Sequence, residues 1–98
     1  MPESSLDTLE SIYDQVIRGL SSRTFDSHEF ILALAQREQR LYVQALAAYA
    51  DTNRFFQIVH GELARRLQNH PALVRKVGEH DSQDIFGQVN SAVIWEKV

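Results

Sequence analysis

Residues 79–98, EHDSQDIFGQVNSAVIWEKV, read two ways, and the fold class turns on which reading is taken. Phe86, Val89 and Val93 are three and four positions apart, the spacing of one helix face. Gly87 and Asn90-Ser91 are turn formers, however, and Val93-Ile94-Trp95 is a β-branched and aromatic run that suits a small hairpin. Taking the helical spacing makes the chain an all-α protein, a compact single domain of four to five helices over residues 1–98. The alternative is a winged-helix-like arrangement with a small C-terminal hairpin.

Working back from that stretch, the periodicity is helical. Apolar residues at 6, 9, 13, 16, 17 and 20 predict a first helix over residues 5–20, which Ser4 or Ser5 can cap. In TFDSHEFILALA, residues 24–35, Asp26 is placed as an N-cap and Glu29 stands at N3, where it can reach back to the cap amide. Phe25 and Phe30 take the flanking positions of a hydrophobic staple. The helix that starts there keeps phase to residue 50, about 37 Å at 1.5 Å per residue. A bend near residues 36–40 would keep Glu38 out of its apolar arc. Asp51-Thr52-Asn53 is a turn, and Phe56, Val59, Leu63 and Leu67 trace a third helix that ends at Asn69-His70-Pro71. Gly61 lies inside it at a cost of about 1 kcal/mol relative to alanine, which suggests a close approach to the backbone. Pro71 then opens a short fourth helix over residues 71–77, closed by Gly78.

Composition narrows the chemistry. The chain has 98 residues, 44% hydrophobic and 23% charged, the profile of one ordinary folded domain. It has no cysteine, so disulfides, thiolate metal sites and cysteine nucleophiles are excluded. No apolar run is long enough for a signal peptide or a membrane span, and the expected location is the cytoplasm. The net charge of −3 is uneven: residues 37–76 carry a local +4 between two acidic ends. Such a middle can hold an anion or be neutralised by its own termini.

No motif points to catalysis, so no enzyme activity, cofactor or metal is expected. His28-Glu29-Phe30-Ile31-Leu32 has leucine where a zinc-protease helix needs its second histidine. His60 and His70 are too far apart to share a helix face, and His80 with Glu79, Asp81 and Asp84 follows no recognised ligand spacing. The four glycines are isolated, which excludes a phosphate-cradling loop.

The third helix carries the functional signal. Arg54, Gln57, Gly61, Arg65 and Gln68 share one face, with Ile58, Phe55 and Arg66 at its edge. Arginine and glutamine on a helix after a short turn can read base edges in a major groove. The apolar Ile58 beside arginines equally suits a protein contact. The expected function is a small non-enzymatic protein-interaction or regulatory domain, with Arg54, Gln57, Ile58, Arg65 and Arg66 binding a protein partner or a second copy. The alternative is a helix-turn-helix or winged-helix-like nucleic-acid-binding protein that uses residues 54–68.

Overall fold

The apolar stripe that begins at Leu6 forms helix in two pieces, α1 (Pro2–Glu10) and α2 (Tyr13–Gly19). The computed structural model describes residues 2–98, with side chains from Ser5 onward. Ser5 lies inside α1, and a capping role for Ser4 falls outside the described side chains. At the break, the Ser11 hydroxyl donates to the Thr8 carbonyl at 2.6 Å and competes with the helical ladder. The amide of Ile12 tightens to an i−3 bond with Leu9. Leu6, Leu9, Tyr13, Val16 and Ile17 are all buried.

β1 (Thr24–Asp26) runs directly into α3 (Ser27–Arg37) through the expected capping box. The Glu29 amide donates to Asp26 Oδ1 at 2.9 Å, and the Asp26 amide donates to Glu29 Oε1 at 3.3 Å. The Phe25 and Phe30 rings lie 6.1 Å apart as the staple requires. Burial alone would raise the Asp26 pKa, but bonds from the Glu29 amide, Ser82 and His80 outweigh it and hold the carboxyl below its ordinary value. The long helix expected to residue 50 breaks at Glu38, whose φ of −126° and ψ of 65° are not helical. The break leaves Glu38 half-buried rather than carried into the core, and α4 (Gln39–Ala47) follows at a new angle. α5 (Phe55–Arg65) continues as a 3₁₀ turn, Arg66–Asn69, and buries Val59, Leu63 and Leu67 as its pattern predicts.

Beyond His70 the all-α expectation is overturned. Residues 71–77 form no helix: the amides of Leu73 and Val74 both turn back to the His70 carbonyl, and Val74 opens β2 (Val74–Gln83). β3 (Val89–Lys97) returns antiparallel to it. The described residues therefore form an α+β domain of five α-helices, a 3₁₀ turn and a three-stranded antiparallel sheet. Its hairpin fills residues 74–97, far more than the small one at Val93-Ile94-Trp95 that the winged-helix-like alternative allowed. The reason is local. Phe86 and Val89, which set the helical phase, are 53% and 65% exposed, so their spacing records no buried face. The residues that seat the hairpin are Val74, Ala92 and Trp95, all buried. At the turn, Asp84 Oδ1 accepts from the amides of Phe86 and Gln88, Oδ2 accepts from Asn90 Nδ2, and Gly87 adopts φ +82°.

The strand order is β1-β3-β2, with β3 in the middle. β1 pairs with it only over Thr24↔Glu96, Phe25↔Trp95 and Asp26↔Ile94, while β2 pairs along its whole length with a bulge between Lys76 and Gly78. Trp95 anchors the sheet to α3, donating from Nε1 to Ser27 Oγ at 3.2 Å.

Candidate binding groove

The arginine and glutamine stripe of α5 is split between two environments. Arg66 faces inward with its side chain 11% exposed, and its guanidinium reaches Asp7 at 2.8 Å, Glu10 at 3.0 Å and Glu62 at 3.1 Å. Glu10 also lies 2.8 Å from His70 Nε2, and the Tyr13 hydroxyl beside His70 donates to the Leu63 carbonyl at 2.6 Å. Burial foremost, then the Glu10 carboxylate, pushes the Tyr13 pKa far above the usual range, so the phenol stays protonated. Arg65 is exposed and holds Glu62 through two nitrogens. Arg54 stands at the start of α5 without a capping bond from its side chain. Ile58 is 38% exposed on the neighbouring surface.

Gln57 and Gly61 face the β2–β3 hairpin instead, across a groove of about 450 Å³. One wall is α5 with Phe56, Gln57, His60, Gly61 and Ala64. The other is the hairpin with Asp84, Phe86, Gln88 and the first half of β3, and Ser27, His28 and Ile31 of α3 close one side. A second depression, lined by Arg65, Gln68, Lys76 and Trp95, shares Ser27, Ala64 and Val93 with the first, so the two run on along α5. The hairpin turn is pinned to the helix by aromatic contacts: Phe86 meets Phe56 edge-on at 4.6 Å and stacks on His60 at 5.9 Å.

Asp84 is the one carboxylate among the described residues of the groove lining. Burial, reinforced by His28 and opposed by Asp84, lowers the His60 pKa, and burial raises that of Tyr42. These two side chains lie 2.5 Å apart, Tyr42 Oη to His60 Nε2, and are neutral together at neutral pH. His28 Nδ1 is taken by Ser82 Oγ at 2.7 Å. The Asp84 carboxyl is held below its ordinary value, because the Phe86 and Gln88 amides and Asn90 outweigh the effect of burial. The Ser27 hydroxyl accepts from Trp95 Nε1 and donates to the Val93 carbonyl. Among the described residues no three histidine, aspartate or glutamate side chains gather as a metal site; His80 turns to Asp26 at 2.9 Å, and Glu79 lies 3.4 Å from Lys76.

The structure thus brings Gln57, and at the far end Arg65, to one groove, and does not bring Arg54, Ile58 or Arg66 there. Sequence reasoning preferred helix for the segment that forms the hairpin wall and allowed only a small hairpin as the alternative. The available signal was Gly61. No atom lies within 4 Å of where its Cβ would stand, so the glycine marks open space rather than the close approach expected of it. Comparisons of the chain with protein-family models, curated proteins and solved structures find no match. Among the described residues no helix is long and apolar enough to cross a membrane.

Proposed function

We propose that this protein is a small non-enzymatic interaction domain that holds a short segment of a protein partner in the groove between α5 and the hairpin. The observation that carries this reading is the lining. Ile31, Phe56, Phe86 and Ala64 offer apolar surface around the space left by Gly61, and the side-chain amides of Gln57 and Gln88 beside them make no hydrogen bond among the described residues. An apolar centre with a polar rim, here carrying the single carboxylate of Asp84, is the make-up of a protein-binding surface. From Phe56 to Gln68 the groove follows about 18 Å of helix, the length of five or six extended residues. Nucleic-acid binding draws less support, because Arg65, Arg66, Arg75 and Lys76 are each neutralised by a carboxylate.

Panning a phage library of random seven-residue peptides against the immobilised protein tests this reading, with Gly61→Leu panned in parallel. Leucine is a better helix former than glycine, and its Cβ meets open space, so the variant directs its side chain into the groove. The expected outcome is a family of peptides that bind the wild type and bind Gly61→Leu at least about tenfold more weakly, the loss of roughly one good contact. No enriched peptide, or equal binding to both proteins, would refute the reading.

A further inference from the structure

The two sides of β3 are covered unequally. β2 pairs with it from residue 89 to residue 97, but β1 covers only residues 94–96. The cause is Asp26: having ended β1, it becomes the N-cap of α3, and the chain leaves the sheet. Over residues 89–93 the other edge of β3 is left open, and residues 90–93 line the groove.

The backbone groups on that edge can be assigned. The Lys97 amide donates to the Arg23 carbonyl on the β1 side at 2.8 Å. Peptide groups alternate sides along a strand, so Trp95, Val93, Ser91 and Val89 aim the same way. Ser27 Oγ reaches the Val93 carbonyl at 3.4 Å, in agreement. Among the described residues, nothing takes the amide or carbonyl of Ser91 on this edge. The outer edge of β2 is defended against pairing by its bulge and by Arg75, Lys76, Glu79 and Asp81. Residues 89–93, Val-Asn-Ser-Ala-Val, carry no charge and no proline.

We infer that the partner segment is bound as an added β-strand, antiparallel to residues 89–93 of β3 and collinear with β1. This rests on the groove reading above and specifies its chemistry: backbone hydrogen bonds to Ser91 and Val89 supply affinity, and alternate side chains supply selectivity. The residue opposite Ser91 points to the face that holds Val93 and Trp95, toward Ala64 of α5 and the space at Gly61. The fitting ligand is therefore an extended stretch of a protein partner with apolar residues at every second position.

The peptides recovered by panning serve as the probe. On binding, amide hydrogen exchange should slow at Ser91 and Val89, while Asn90 and Ala92, which face β2, keep the protection they already have. N-methylation along the peptide backbone should weaken binding at alternate positions by about tenfold, the worth of one backbone hydrogen bond. Ser91→Pro removes an amide that points away from β2, so it should fold and lose the peptide; if it does not fold, the N-methyl series on the wild type still decides. A peptide that binds but leaves Ser91 exchange unchanged, with no alternation in the N-methyl series, overturns the added strand and leaves the groove reading standing. Failure to recover any peptide removes both.

Discussion

α5 separates two regions that treat their polar groups in opposite ways. On the Arg66 side, Asp7, Glu10, Glu62, His70, Tyr13 and the guanidinium itself are bonded to one another, and little hydrogen-bonding capacity is left over. On the groove side, the side-chain amides of Gln57 and Gln88 and the backbone of Ser91 have no partner within the described chain. One helix faces both. Polar groups closed on themselves contribute to folding and have nothing to offer a partner, whereas open ones contribute little to folding and are free for recognition. Substitutions on the first side should therefore change stability, and substitutions on the second should change binding.

The largest effect is expected at Arg66. Arg66→Met keeps the stem and deletes the charge, leaving Glu10 and Glu62 half-buried beside each other. The expected loss is about 3 kcal/mol, the low end for removing one partner of a buried ion pair, read from urea melts. A loss below about 0.5 kcal/mol, the scale of an exposed pair, would break the comparison. Next comes Asp26→Ala, which removes the cap of α3 and the acceptor for His80, at about 2 kcal/mol. The Asp26 carboxyl titrates lower in the folded chain than in the unfolded one. Its contribution is therefore complete above the unfolded value near 4 and is lost as pH falls through the lower folded value. The variant should show a flatter acid limb than the wild type in melts between about pH 5 and pH 2, the window that this depressed value opens.

A smaller pH effect belongs to the groove wall. The His60 pKa is depressed in the fold, so the unfolded chain binds its proton first. The contribution of His60 is full above about 6.5 and declines as pH falls below it. His60→Asn should remove that part of the slope between about pH 7.5 and 5.5, a window set by the ordinary histidine value. The smallest change, with opposite sign, is Gly61→Leu: folding is expected to be unchanged or stabilised by up to about 1 kcal/mol while peptide binding is lost. Destabilisation by this variant would show that the groove wall belongs to the folding side of the comparison.

What the sequence made legible was local. The capping box of α3 and its staple are complete within six residues, from Phe25 to Phe30, and form as read. Of the stripe read on α5, Val59, Leu63 and Leu67 are buried, while Phe56 is half-buried and lines the groove. What escaped depended on distant partners. Arg66 looks like a surface cation until Asp7 and Glu10, 59 and 56 positions earlier, are placed beside it. Phe86 and Val89 mimic a helical face because spacing cannot distinguish exposed residues from buried ones. Of the groove, Gln57 and Gly61 were legible as one face of α5, but the wall opposite exists only once β2 and β3 are paired.

The central position of β3 also dictates an order of assembly. β1 and β2 are not paired with each other in the sheet; each pairs with β3, which follows both in the chain, and the β1 partners are about seventy positions apart. During synthesis, α1 to α5 can form from contacts already made, while both flanking strands wait unpaired for β3 to emerge. Closing so long a loop is slow compared with forming helices, and strands that wait with bare edges are exposed to wrong pairing. The charges and the bulge of β2 therefore protect the nascent chain as well as the finished one, guarding the longer of the two waiting strands until its neighbour arrives.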